Sequence, residues 1–276
     1  MRVLNFILSH SIFVAFCAVA LAYQILLLHH LSGSVFLYGF IFFSTLCSYN
    51  AYWILAKYSS GKSFGLRGFI SDDWTGLSLL AISGAGLIIC FLKGGMTIAL
   101  VAPAVLLTIL YALPLLPFRF LHFARRAGVL KTVFLAFTWT YVTAYIPMKL
   151  TFPHLDNIVL YIFTRRFLFL LMLCIIFDNR DIAVDKVRGF RSLATDLSLT
   201  TVKFIIITIF CIFFSTNFLL PYYGLSIRQV IAFQVSTIAL LVTYYFSTRK
   251  QGYFFYYFIV DGMMLFSALA TYIASI

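Results

Sequence analysis

The chain has 276 residues, 63% of them hydrophobic and 10% charged, with a formal charge of +12 and a mean hydropathy of +1.03. This composition excludes a soluble globular domain and a disordered chain, so residues 1–276 read as a single polytopic domain with a bilayer as its solvent. Nor does the positive charge imply nucleic acid, because the spans sort it to one side of the membrane.

Hydrophobic runs close to the ~20 residues that cross ~30 Å of hydrocarbon occur nine times. In chain order they are Val3–Leu28, Ser34–Ala56, Thr75–Leu92, Met96–Leu116, Gly128–Met148, Asn157–Phe177, Lys203–Leu220, Gln229–Phe246 and Tyr253–Ser275. The first outruns the apolar core of a signal peptide and is read as a retained helix. In the third, Ser83, Gly84, Ala85 and Gly86 predict close approach to a neighbouring helix. Many of the 17 Tyr, among them Tyr222, Tyr223, Tyr244, Tyr245, Tyr256 and Tyr257, sit near span ends, as interfacial belts require. The five Cys (Cys17, Cys47, Cys90, Cys174, Cys211) lie singly inside spans and read as small buried hydrophobes.

Nine alternating spans divide the 20 Lys and Arg very unequally. Lys93, Lys149 and Arg228 fall on one side, Arg165 and Arg166 fall inside the sixth span, and all the others fall on the opposite side. Basic residues mark the cytoplasmic loops. The expectation is therefore an all-α polytopic membrane protein of nine transmembrane helices, N-terminus cytoplasmic, in the plasma (inner) membrane. The inner connections Lys57–Trp74, Pro117–Ala127 and Asp178–Val202 hold nearly all the polar sequence, which places function at the cytoplasmic face.

Of the eight acidic residues none is Glu, and four lie between Asp178 and Asp196, directly after the sixth run. Asp178, Asp181 and Asp185 stand at i, i+3 and i+7, on one face of a helix. Carboxylates so placed repel one another unless cations sit among them, and an all-oxygen ligand set suits Mg²⁺. Arg180, Lys186, Arg188 and Arg191 interleave with them. The second run delivers Asn50 and Lys57 to the same side, the fourth delivers Tyr111, and the fifth starts there with Lys131. Carboxylates ringed by Lys and Arg fit a diphosphate bridged by metal.

At these residues the chain resembles the UbiA superfamily of intramembrane prenyltransferases. The family's second Asp-rich motif, approximately D-x-R-D-x-x-x-D-x-x-x-G-x-[KR]-[ST], stands here as Asp178, Arg180, Asp181, Asp185, Gly189, Arg191 and Ser192. Tyr111-Ala-Leu-Pro with Lys131 downstream is similar to a further family segment. The first motif, N-x-x-x-D-x-x-x-D, departs from the pattern: after Asn50 the two Asp positions hold Ile54 and Tyr58. The resemblance implies nine helices and Mg²⁺-dependent transfer of an isoprenyl group from a polyprenyl diphosphate donor to a hydrophobic or aromatic acceptor. It implies that Asp178, Asp181 and Asp185 hold metal and Asn50 orients the diphosphate. Arg180, Arg188, Lys131, Lys57 and Tyr111 would bind the diphosphate.

Two other readings stay open. A catalytically silent, isoprenoid- or lipid-binding descendant of the fold would explain the lost first-motif carboxylates. A transporter would need polar residues near the midplane, where only Arg165, Arg166 and Asp261 lie deep. Asp261, about 12 Å into the ninth span at 1.5 Å per residue, is expected to pair with Arg165 or Arg166.

Overall fold

The computed structural model describes residues 2–59, 74–112, 128–151, 157–188 and 191–276, with the backbone alone at residues 2, 58, 59, 157 and 183–188. Regular structure among them is helical throughout. That follows from the solvent: in hydrocarbon a segment's own ladder must satisfy its N–H and C=O groups. The first helices are α1 Arg2–Ser9, α2 Ile12–Leu28, α3 Val35–Ser59, α4 Trp74–Lys93 and α5 Ile98–Ala112. Helix α6, Gly128–Thr140, continues through a π-helical stretch, Tyr141–Tyr145, into Ile146–Thr151. Then come α7 Asn157–Arg188, the short α8 Leu193–Asp196, and α9 Leu199–Thr216 with a 3-10 extension, Asn217–Tyr223. Helix α10 is Ile227–Ser247, and α11, Asp261–Ser275, is entered through a π-helical segment, Phe255–Val260.

Seven described helices are long and apolar enough to cross a bilayer, or eight when α1 and α2 count as one bent span. The chain is a multi-pass, all-α integral membrane protein. The count differs from nine at two places. Helix α5 has 15 residues as described, and its hydrophobic run continues into residues 113–116, outside the described set. The first run is not one straight helix but breaks at His10–Ser11 with a bend of 68°. Ser11 takes φ 61°, ψ 18°, a left-handed conformation that ends a right-handed helix.

Helix α7 is central: half of its apolar window is buried, against 11% for the peripheral α4. Its residues Phe169, Met172, Ile175 and Ile176 pack with Leu21 of α2, Ile206 of α9, Leu240 of α10, Val260 of the π-helical segment and Met264 of α11 in the main core. The outward faces stay apolar (Ile82, Ile88 and Leu92 on α4; Phe204 and Ile207 on α9), as a lipid-facing surface must. Helices α3 and α4 pack through small residues. A Cβ on Gly86 would sit 2.7 Å from the Phe43 ring, and one on Gly39 would sit 2.7 Å from Cys90 Sγ, whereas nothing lies within 4 Å of one on Gly84. Gly86, not Gly84, carries the close approach. Gly86→Val is therefore expected to destabilise the protein by about 1–3 kcal/mol, read as thermal unfolding in detergent, with Gly84→Ala as a near-neutral control.

Contacts sort the helix ends into two groups. At one end Asn50 meets His10, Thr132 meets Asp178, and Tyr256 and Tyr257 meet Arg180. At the other, His29, Ile158, Tyr223 and Leu225 surround one cavity, and Gln229 Nε2 donates to Ser275 Oγ at 3.0 Å. This grouping is what alternating spans produce.

Candidate functional site

Helix α7 runs unbroken from Asn157 to Arg188, so residues 178, 181 and 185 share one face by helical register. Asp178 accepts a hydrogen bond from the Thr132 hydroxyl of α6, whose side chain is buried. Asp181 takes a bidentate grip from its neighbour, with Arg180 Nε to Oδ1 at 2.7 Å and Arg180 Nη2 to Oδ2 at 2.8 Å. The side chains of Asp185 and Arg188 lie outside the described residues. Among the described residues no three His, Cys, Asp or Glu side chains form a metal-ligating group.

Of the rest of the expected set, Tyr111 and Lys131 come together near Asp178. Lys131 of α6 lies over the Tyr111 ring, its Nζ 5.4 Å from the centroid. Tyr111 stacks on Tyr52 of α3 at 5.4 Å and 28°, within electrostatic reach of Asp178 and Tyr49. The Arg180 guanidinium sits 4.9, 5.3 and 5.0 Å from the ring centroids of Phe177, Tyr256 and Tyr257. Tyr257 faces Trp53 at 6.4 Å, and Tyr49 meets Trp139 edge-on at 6.0 Å. These contacts join α3, α5, α6, α7 and the π-helical entry to α11 in one side-chain cluster, the chamber, in which cations rest on aromatic faces beside carboxylates. Lys57 closes α3 at the same end, half-buried.

Asn50 has a structural task as well. Its Nδ2 donates to the carbonyls of Leu46 at 2.8 Å and His10 at 3.3 Å, and the His10 carbonyl is one that the α1–α2 break leaves outside the helical ladder. With those donors engaged, Asn50 has Oδ1 left to offer, an acceptor suited to a cation rather than a phosphate oxygen. Asn50→Leu is expected to lower stability by about 1–2 kcal/mol through the lost buried hydrogen bonds, measurable as a fall in the unfolding midpoint.

Asp261 does not pair with Arg165 or Arg166. It is buried, 6% exposed, and Arg180 is the cation within its electrostatic reach. Arg165 turns instead to Asn217 Oδ1, and Arg166 Nη2 donates to Leu21 O at 3.0 Å and Gln24 Oε1 at 2.9 Å. Asp261 follows a π-helical segment, a distortion common at functional sites, and Cys174 lies near both it and Asp178. Asp261 thus belongs to the chamber. The sequence carried one signal of the aromatic wall: Tyr49, Tyr52 and Trp53 stand at i, i+3 and i+4 beside Asn50.

Beyond the chamber, the segment after residue 190 turns back on α6. Arg191 Nε lies 3.5 Å from Asp196 Oδ1, Ser192 N donates to Thr195 Oγ1 at 2.8 Å, and a Cβ on Gly128 would meet the Asp196 carboxylate. Gly128 therefore lets α8 seat against the start of α6.

Fold and chamber together define a multi-pass helical membrane protein with an acidic, basic and aromatic site at one end of its bundle. No family model, curated protein or solved structure matches the chain.

Proposed function

We propose that the chain is an intramembrane prenyltransferase of nine spans, its chamber at the cytoplasmic face of the plasma membrane, moving an isoprenyl group from a polyprenyl diphosphate to a lipophilic or aromatic acceptor with Mg²⁺. The observation that carries this reading is the chamber, where Asp178, Lys131, Arg180 and the rings of Tyr52, Tyr111 and Tyr257 converge at the end of an apolar bundle. Mg²⁺ is held by one or two carboxylates plus substrate phosphates, so Asp178 and Asp181 on one helix face fit it, with Asp185 and Asn50 Oδ1 as further oxygen donors. When bound, the metal screens the diphosphate and stabilises it as a leaving group.

The chain's own residues supply the remainder. Lys131, Arg180, Arg188 and Lys57 take the phosphate charge that the metal leaves. As the allylic carbon–oxygen bond breaks, the electron pair leaves with the diphosphate and positive charge develops on carbon. The faces of Tyr111 and Tyr257, which hold Lys131 and Arg180 in the structure, are surfaces that stabilise a cation. An acceptor carbon or oxygen forms the new bond and releases a proton. Apolar side chains of the bundle house the isoprenoid tail.

A second reading, a silent isoprenoid- or lipid-binding protein, is favoured by α3, which carries Ile54 and Tyr58 where the family has its first-motif carboxylates. A diphosphate-release assay separates the two, using purified protein, prenyl diphosphates and a pool of acceptors, with and without Mg²⁺. Metal-dependent release supports transfer. Binding of prenyl diphosphate with no release supports the silent protein.

A further inference from the structure

Roughly 20 Å along α7 from Asp178, at 1.5 Å per residue, two adjacent arginines lie inside the bundle. Arg165 is 5% exposed and Arg166 8%. Both line a cavity of about 40 Å³ at the end opposite the chamber. Their hydrogen-bond partners are neutral. Arg165 bonds to the Asn217 amide oxygen, and that amide in turn donates to Gln234 Oε1 at 2.8 Å and Thr237 Oγ1 at 3.0 Å. Arg166 bonds to Gln24 and to a main-chain carbonyl. Gln24 is itself fixed by donating to Thr271 Oγ1 at 2.8 Å. Arg165 Nε is buried with no hydrogen-bond partner. Among the described residues neither guanidinium has a carboxylate partner.

Two buried cations with no counter-ion among the described residues are costly in a membrane interior, where charges are retained by pairing or by function. The rings of Phe233, Phe213 and Tyr161, with centroids 4.5, 5.4 and 5.7 Å from Arg165 Cζ, offset part of that cost. They carry no net negative charge. Burial, reinforced by the neighbouring His30, holds the His29 imidazole below its ordinary pKa and so favours its neutral form, which adds no further positive charge beside the arginines. The cavity has room for about three water molecules, the size of one oxyanion group. Gln24, His29 and Ser267 add polar groups to its lining, and Ile25, Leu28, Ile158 and Leu225 give it an apolar side.

We propose that Arg165 and Arg166 form a second binding site, distinct from the prenyl-transfer chamber, for the carboxylate or phosphate oxyanion of an amphipathic molecule whose apolar part leaves along that apolar side. Guanidinium suits such an anion because its forked donors match two oxygens at once. The chemistry is shared by a lipid headgroup and a free anion, and the test separates them. Protein in phosphatidylcholine nanodiscs is titrated with inorganic phosphate in one arm and transferred to nanodiscs containing phosphatidylglycerol in the other. Thermal midpoint and lipid retention by native mass spectrometry are the readouts.

The expected result is stabilisation and retention in the phosphatidylglycerol arm, weakened by about tenfold for each arginine replaced in Arg165→Gln and Arg166→Gln. A response to phosphate alone that disappears in the same variants keeps the oxyanion site and assigns it to a free anion. Ile162→Phe, which fills the cavity and keeps both arginines, should also abolish retention, so the test does not depend on the Gln variants folding. No response in either arm, or a response that survives both Gln variants and Ile162→Phe, overturns the site. Diphosphate release is not a readout here, so failure of this site leaves the transfer reading untouched.

Discussion

Neutralising Asp178 or Asp181 is expected to remove Mg²⁺-dependent diphosphate release, with turnover falling by about 10²–10³-fold, the range typical of losing one preorganised electrostatic contact in a low-dielectric site. The informative variants are Asp178→Asn and Asp181→Asn. At position 178 the amide still accepts from the Thr132 hydroxyl, so the α6–α7 contact survives while the charge is gone. At position 181 the amide keeps one acceptor for Arg180 and loses the other, while the guanidinium keeps its three aromatic partners. Both variants should therefore unfold close to the parent midpoint. Asp185→Asn is expected to match them, because the unbroken α7 carries residue 185 on the same face. Release that persists in all three would remove the acidic face from the chemistry. A wild-type protein that binds prenyl diphosphate without releasing diphosphate would leave the silent reading in possession.

The parts of this fold that a linear sequence states are those set by one helix at a time. Long apolar runs mark spans because the bilayer admits few alternatives, and α7 continues through Asp178, Asp181 and Asp185 because nothing in that run breaks a helix. Span topology put Lys131 and Tyr111 at one face of the membrane, and the structure lays the Lys131 ammonium over the Tyr111 ring. The features that escaped depend on two helices meeting. Ser11 ends α1 with no glycine or proline to announce it, and the carbonyl released there is answered by Asn50, 40 residues away. Of two glycines in α4 that look alike on paper, only Gly86 faces a ring. Arg165 and Arg166 find amides rather than Asp261, because Asp261 enters α11 at the end where Arg180 lies. Charge complementarity along the chain says which residues could pair; the packing decides which do.

Asn217→Ala is expected to be the most damaging single change to stability away from the chamber, at about 2–4 kcal/mol, the cost of leaving a buried charged donor and two buried polar groups without hydrogen-bond partners. Asn217 is fully buried and joins three helices. Its oxygen accepts from Arg165 of α7, while its nitrogen donates to Gln234 and Thr237 of α10 from the start of the 3-10 extension of α9. Alanine strands all three at once, and among the described residues Arg165 is then left with no hydrogen-bond acceptor. The loss is conditional on the charge, which gives the prediction its sharpest form. In the double variant Asn217→Ala with Arg165→Met, no ion is left to strand, so most of the deficit should return. Additive effects in that cycle, measured as unfolding midpoints in one detergent, would show that Asn217 contributes packing alone and that Arg165 draws its stability from elsewhere.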